Sequence, residues 1–275
     1  MTNIANAQNP FFEKYTTPYG TVPFDKIKNE HYEPAIREGI SRQAAEIDAI
    51  VNNPEAPTFA NTILAYEKSG ELLDRVTTVF GNLRSAETND DLQKIAQEMI
   101  PLLSEHSNNI SLNQELFERI KVVYDQKDSI ELTPEQTKLL ENAYNGFIRR
   151  GANLQGEAKE KYRELTKNLS KLTLDFSENN LKETNNYQLT LTDEAQLAGL
   201  PESAIEAAAE TAREKGVNGW VFTLHAPSYI PFMTYADNRD LRRELYMAYN
   251  TKCTHDNEYN LSLIHISEPT RLDVI

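Results

Sequence analysis

Apolar residues recur at steps of three and four along most of this chain, and this helical period is the feature that most limits its fold. The clearest run lies within residues 157–179, where one stripe is formed by Tyr162, Leu165, Leu169, Leu172 and Phe176. A similar stripe between Thr58 and Ala86 predicts one long helix, with Thr58 as its N-cap after a proline-bounded turn. The sequence therefore predicts amphipathic helices with one apolar face each.

Capping signals locate further helices. Thr133, Pro134 and Gln136 form a capping box with proline at the first helical position, and Gly151 predicts where that helix stops. Pro101 is expected to kink or divide another helix, which opens near residue 88. The remaining predicted helices span about 113–124, 201–215 and 239–250, with one more stretch beyond Pro231.

The period changes to that of a strand after Asn186. Residues 187–192 alternate between polar and apolar side chains, and residues 220–224 form a second strand candidate. The fold class predicted from these patterns is mainly α, with one small β element at about 187–192 and 220–224.

The last fifteen residues, Leu261 to Ile275, do not continue this pattern, because they show neither a clear period nor a plausible cap. Leu261 to Arg271 matches the reading-frame translation of a transposon-type sequencing adaptor, and a short index read accounts for Leu272 to Val274. We therefore expect residues 1–260 to form one helical lobe and residues 261–275 to be a non-native tail, excluded from fold reasoning.

Charge and composition exclude several classes of partner and location. The chain has 42 acidic and 28 basic side chains and a formal net charge of −14, which argues against nucleic acid or an anionic membrane as its main partner. Its single cysteine, Cys253, rules out an intramolecular disulfide and fits a reducing compartment. Without a visible secretory signal or a run of 18 apolar residues, a cytoplasmic location is expected.

Motifs for common enzyme chemistry are missing from the sequence. It has no glycine-rich phosphate loop, no G-x-S-x-G elbow, no C-x-x-C pair and no H-E-x-x-H pair. The five histidines are His31, His106, His225, His255 and His265, the last of them in the suspected tail.

Three histidines lie near carboxylates in the sequence. His31 stands between two glutamates, His106 follows Glu105, and His255 precedes Glu258 at a spacing that would aim both at one ion if the segment were helical. A zinc site needs three or four converging ligands, so we interpret these histidines as surface residues. The sequence accordingly predicts no catalytic, cofactor-binding or metal-binding residue in this chain.

An aromatic cluster near the C-terminal end admits two interpretations. Aromatic side chains that combine apolar area with a polar tip line ligand clefts, whereas aromatic pairs at helical spacing are usually packed in a core. The spacing favours the core interpretation. The residues concerned are Trp220, Phe222, Tyr229, Phe232, Tyr235, Tyr246 and Tyr249.

Several segments, taken in order, resemble a known family. They are Asn9-Pro10-Phe11, residues 22–27 and 31–35, Asn61-Thr62-Ile63, residues 69–73 and 196–201, Pro227-Ser228-Tyr229, residues 235–239, Leu241-Arg242 and residues 246–250. This series resembles the N-terminal portion of the thimet-oligopeptidase family of zinc metallopeptidases, and within it the bacterial peptidyl-dipeptidases (dipeptidyl carboxypeptidases) and oligopeptidase A. The resemblance covers residues 9 to about 260, only the first third or so of a typical member.

The resemblance implies a multi-helix N-terminal lobe of a two-lobed, mainly α metallopeptidase whose channel admits short peptides. In the family, an H-E-x-x-H helix and a downstream glutamate bind zinc, which polarises the scissile carbonyl and activates water while the catalytic glutamate takes its proton. None of these residues can be carried over to this sequence. The expected partners are short peptide substrates and a C-terminal catalytic lobe, and the chain itself is expected to bind no zinc and be inactive.

Two other hypotheses stay open. The chain could be a stand-alone helical module that binds peptides or proteins, which would require its apolar stripes to be buried without a second lobe. It could also be an enzyme built on the His255 and Glu258 pair, although no further partner for that pair is visible in the sequence.

Overall fold

The computed structural model describes residues 9–255 and 257–260, so the expected tail at 261–275 and His265 lie outside the described residues. It confirms the mainly α fold. The α-helices are α1 (Tyr32–Val51), α2 (Ala65–Lys68), α3 (Glu71–Ala86), α4 (Asp90–Ser111), α5 (Gln114–Asp125), α6 (Pro134–Arg149), α7 (Gly156–Asn186), α8 (Glu202–Glu214), α9 (Ala226–Tyr235) and α10 (Arg239–Asn250). Within these described ranges, no helix is both long and apolar enough to cross a membrane.

The chain divides into two compact units, unit 1 (Met1–Lys171) and unit 2 (Leu172–Ile275). In unit 1, α1 and α3 pack closely, because Gly39 presents no side chain where it meets Leu73. One core cluster of unit 1 lies under α5 and α6 and consists of Ile47, Ile50, Ile63, Leu116, Phe117, Ile120, Val123, Leu140, Phe147 and Ala152.

Unit 2 contains the predicted β element. Strands β1 (Leu189–Leu191) and β2 (Trp220–Phe222) pair antiparallel, with Thr190 opposite Val221. Both strands are shorter than the predicted segments. They cover a core that consists of Leu189, Leu191, Leu197, Leu200, Ala208, Phe222, Leu224, Phe232, Ala236 and Leu245.

The single long helix expected from Thr58 to Ala86 was a wrong prediction. Thr58 does act as the N-cap, accepting a hydrogen bond from the Asn61 amide at 3.1 Å, but it opens a π-helical turn that leads into α2. The helical path then breaks at Gly70, whose φ of 79° lies in the left-handed region and whose amide donates to Glu46 at 2.7 Å. The apolar spacing continues across the break, which explains why periodicity did not reveal it.

Most other predicted helix ends are confirmed. The Thr133 and Gln136 capping box opens α6, and Gly151 and Gly216 have positive φ just after α6 and α8. Pro101 lies inside α4 without dividing it. The helical stretch predicted to follow Pro231 begins earlier, at Ala226, and includes Pro231. Pro227 does not prevent this earlier start, because it lies in the first turn, where a helix tolerates proline.

Helix α7 is longer than predicted, and the apolar stripe on its unit 1 part is largely exposed. Leu165 is 45% exposed and Leu169 is 51% exposed. The contact with α4 is instead polar: Asn108 Nδ2 donates to Thr166 Oγ1 at 2.8 Å, and Ser170 Oγ lies 3.1 Å from Ser104 Oγ.

Candidate functional site

The two histidines of unit 1 serve structural roles. His31 Nδ1 accepts a hydrogen bond from the Lys28 amide at 3.0 Å, while the neighbouring Glu33 pairs with Arg37 at 2.9 Å. His106 was predicted to be a surface residue, but it is buried, because it faces α1 and its Nε2 lies 2.8 Å from Gln43 Oε1. Burial lowers the pKa of His106 below its ordinary value of 6.5. This contact therefore belongs to a neutral imidazole that fixes Gln43.

The two described histidines of unit 2, His225 and His255, do not assemble a site either. His225 is exposed at the N-cap of α9, and His255 Nε2 lies 3.1 Å from Thr251 Oγ1. The described residues after Thr251 are not helical, so the spacing of His255 and Glu258 does not produce a shared face. Among residues 9–255 and 257–260, no group of three or more His, Cys, Asp or Glu side chains is arranged to hold a metal ion.

Cys253 is buried where the segment after α10 contacts the end of α7. Its φ of 59° is in the left-handed region, and its amide donates to the Glu183 carboxylate. Burial, with the Glu183 charge as the next cause, raises the pKa of the Cys253 thiol. The same carboxylate accepts from Asn257 Nδ2 at 3.4 Å, and the Tyr259 hydroxyl accepts from Asn186 at 3.0 Å. These contacts fasten the segment after α10 to the end of α7.

The aromatic cluster contains buried, half-buried and exposed members, and the half-buried Trp220 and Tyr229 pack against the core of unit 2. Phe222 and Phe232 are fully buried, with ring centroids 4.6 Å apart, so the core interpretation is confirmed for them. It was wrong for three tyrosines, because Tyr235 is 54%, Tyr246 is 50% and Tyr249 is 40% exposed. Their helices turn a different side toward the core of unit 2, through Phe232 on α9 and Leu245 on α10.

Tyr229, Tyr246 and Tyr249 form a surface that we call the tyrosine face. The rings of Tyr229 and Tyr249 stack with centroids 4.4 Å apart, and Lys252 Nζ lies 4.4 Å from the centre of the Tyr249 ring. Burial, and then the neighbouring tyrosines, raise the pKa of Tyr229, while a hydrogen bond with the Asn250 side chain lowers it. The tyrosine face is thus an organised surface that combines apolar rings with polar tips, a combination enriched at protein interfaces.

Unit 2 also contains a partly enclosed cleft of about 370 Å³. Small apolar side chains and Phe222 form part of its lining, and polar groups from the start of α9 form another part. Ser228 Oγ, one of these groups, accepts a hydrogen bond from the Thr223 amide at 3.0 Å, which gives it a structural role. Sequence reasoning missed this cleft, because it depends on how α8 crosses β2.

The motifs that carry the family resemblance in unit 1 contact one another. Asn9 Nδ2 donates to the His31 carbonyl at 2.8 Å, and Arg75 Nη2 donates to the Phe11 carbonyl at 2.7 Å. The Phe11 ring is buried 5.4 Å from the Tyr32 ring. We call these contacts the N-terminal clamp, since they hold the segment before α1 against α1 and α3.

A second set of motifs meets in unit 2. Gly199 has a φ of 86°, and a Cβ at this position would overlap the backbone carbonyl oxygen of Tyr235. The Asp237 amide donates to the Ala198 carbonyl at 2.8 Å, and Asn238 Oδ1 accepts from the Asp240 amide as the N-cap of α10. In both units, the motif residues that make these contacts are therefore packing and capping residues.

Known proteins resemble this chain along most of its length. It is 41% identical over 241 residues to a dipeptidyl carboxypeptidase from Escherichia coli, a match that covers 87% of this chain and 35% of the relative. It is 35% identical over 235 residues to an oligopeptidase A from Haemophilus influenzae, and 28% identical over 268 residues to an organellar oligopeptidase A from Arabidopsis thaliana. These matches cover 34% and 33% of those relatives, so the chain spans about a third of their length. No family model matches the sequence.

Proposed function

We infer that this chain, which belongs to the dipeptidyl carboxypeptidase and oligopeptidase A family, is the N-terminal, non-catalytic part of a zinc-dependent peptidase that hydrolyses short peptides. The observation that carries this proposal is the unequal coverage of the alignment, which includes 87% of this chain but 35% of the E. coli dipeptidyl carboxypeptidase. The order of the motifs from residue 9 to about 260 supports the N-terminal position.

We propose that the zinc ligands and the catalytic glutamate of the whole peptidase lie in polypeptide that this chain does not include. The printed sequence contains no H-E-x-x-H pair, and His106 and His255 contact amide or hydroxyl groups in the structure. We therefore expect zinc in the full-length parent and none in this chain. The role proposed for this chain is to form part of the wall of a channel for short peptides, together with a C-terminal catalytic lobe, in the cytoplasm.

Two measurements on the purified 275-residue chain test this proposal. Metal analysis by mass spectrometry should find no stoichiometric zinc. A tetrapeptide that is blocked at its N-terminus should not be hydrolysed. The full-length E. coli dipeptidyl carboxypeptidase, assayed in parallel, serves as the positive control. Tight zinc binding accompanied by hydrolysis in the 275-residue chain would overturn the proposal and favour an enzyme with an unrecognised site.

The second candidate function is a stand-alone helical module that binds peptides or proteins. The tyrosine face favours it, because Tyr246 and Tyr249 are 50% and 40% exposed and such aromatic surfaces are typical of binding sites. A module of this kind should be a monomer with one cooperative unfolding transition. Aggregation through exposed apolar surface would instead favour the truncated lobe.

A further inference from the structure

We propose that the tyrosine face is the surface on which the remaining polypeptide of the peptidase docks. This inference rests on the proposed function, because it assumes that the chain is one part of a longer protein. It assigns the exposed Tyr246 and Tyr249 a role that differs from both core packing and direct contact with a peptide substrate, while the half-buried Tyr229 supports them from the core side.

The first support is where the exposed apolar area lies. Five large hydrophobic side chains on α9 and α10 are at least 40% exposed, namely Ile230, Tyr235, Tyr246, Met247 and Tyr249. Single exposed apolar residues are ordinary, whereas adjacent ones, such as Tyr246 beside the stacked rings of Tyr229 and Tyr249, mark an interaction surface. Helix α10 thus offers apolar surface beyond the side that it buries through Leu245.

The second support is the order within the face. Tyr229 stacks on Tyr249, and Lys252 covers the Tyr249 ring while donating to Thr184 Oγ1 at 3.1 Å. Contacts that hold these side chains in place before a partner arrives reduce the entropy lost on docking. Solubility alone does not require three adjacent tyrosines at a surface.

The third support identifies the occupant. The match covers 35% of the E. coli relative. The unmatched polypeptide of that relative is therefore about twice as long as the matched part. We commit to this unmatched polypeptide as the occupant, because it is the largest body of protein that the comparison adds to this chain. A second copy of the chain is the competing occupant.

A fusion protein tests the proposal. It joins residues 1–260 of this chain to the remaining C-terminal polypeptide of the E. coli dipeptidyl carboxypeptidase. Tyr246→Ala is made in the fusion and in the 275-residue chain, and Val122→Ala on α5, 39% exposed, is the matched control. Docking predicts that Tyr246→Ala lowers the Tm of the fusion by at least about 4 °C, but lowers that of the 275-residue chain by less than about 2 °C. Val122→Ala should change the Tm of the fusion and that of the 275-residue chain by the same amount.

The outcomes separate the two proposals. Equal Tm shifts in the fusion and in the 275-residue chain would overturn the docking proposal, even if the fusion hydrolyses peptides. A folded fusion without peptidase activity would count against the proposed function, while its Tm shifts would still decide the docking. If the 275-residue chain is a dimer that Tyr246→Ala dissociates, the occupant is a second copy and the proposal is overturned.

Footprinting covers the case of a fusion that does not fold. Hydroxyl radicals should label Tyr246 in the 275-residue chain, because its side chain is half exposed. The side chain aligned with Tyr246 in the full-length E. coli enzyme should be labelled at least about fivefold more slowly, since docking would remove it from solvent. Equal labelling of the two positions would overturn the proposal.

Discussion

The backbone carbonyl oxygen of Tyr235 occupies the place that a Cβ of residue 199 would need, so the structure requires glycine at Gly199. Gly199 and Tyr235 belong to two segments that are 36 residues apart in the sequence, and both segments carry the family resemblance. The close approach lets the Asp237 amide reach the Ala198 carbonyl at 2.8 Å. The contact holds the turn before α8 against the end of α9.

Gly199→Ala should therefore destabilise the chain by more than a positive φ alone would explain. We expect a loss of about 3 kcal/mol in the free energy of unfolding, because a steric clash with backbone adds to the cost of a left-handed alanine. Gly216→Ala is the matched control, since Gly216 also has a positive φ but faces open space, and should cost about 1 kcal/mol. Urea unfolding measures both, and equal losses would contradict the predicted clash.

The stability of the chain should fall in mild acid because of His106. Burial lowers the pKa of this imidazole in the folded state, so between about pH 6.5 and the lower folded pKa the unfolded chain binds more protons. The contribution of His106 to stability is then complete above about pH 6.5 and decreases as the pH falls below it. Urea unfolding from pH 8 to pH 5 measures this dependence.

His106→Gln should remove part of that pH dependence, since glutamine does not titrate. His225→Gln, at an exposed histidine, is the control and should leave the slope unchanged. A pH dependence that is the same in all three proteins would show that protons bind elsewhere.

The N-terminal clamp should contribute strongly to stability through Phe11. Phe11→Ala removes a fully buried ring that contacts Tyr32, so we expect a loss of about 3–5 kcal/mol. Phe24→Ala is the control within the same N-terminal region, and should cost less than about 1 kcal/mol because Phe24 is 56% exposed. Similar losses for the two variants would mean that the clamp does not anchor the segment before α1.

Local patterns predicted this fold where a short signal decides the structure. The capping box at Thr133, the stop at Gly151 and the alternation of 187–192 each depend on a few neighbouring residues, and all three are confirmed. The break at Gly70 was missed, because the Glu46 carboxylate that caps its amide lies on another helix. The exposure of Tyr246 was missed for the same kind of reason, since spacing along a helix does not reveal which side the neighbouring elements cover.

Cys253 should react slowly with thiol reagents in the folded chain. The side chain is buried, and burial together with the Glu183 charge raises the pKa of its thiol, so little thiolate is present or accessible at pH 8. We expect its reaction with a disulfide reagent to be at least about tenfold slower than in denaturant, because the thiolate is the nucleophile. As this is the only cysteine in the sequence, the absorbance change reports this site alone.

Glu183→Gln tests the electrostatic part of that prediction. Removing the negative charge should lower the thiol pKa and increase the rate of reaction at pH 8, while the glutamine can still accept the hydrogen bond from the Cys253 amide. Glu202→Gln, at an exposed position on α8, is the control for the change in net charge and should leave the rate as it was. Glu183→Gln could instead increase the rate and also make it independent of pH between 7 and 9. In that case the reaction rate is set by local separation of the segment after α10 from the end of α7, and not by the thiol pKa. A rate unchanged by Glu183→Gln would show that burial alone protects the thiol.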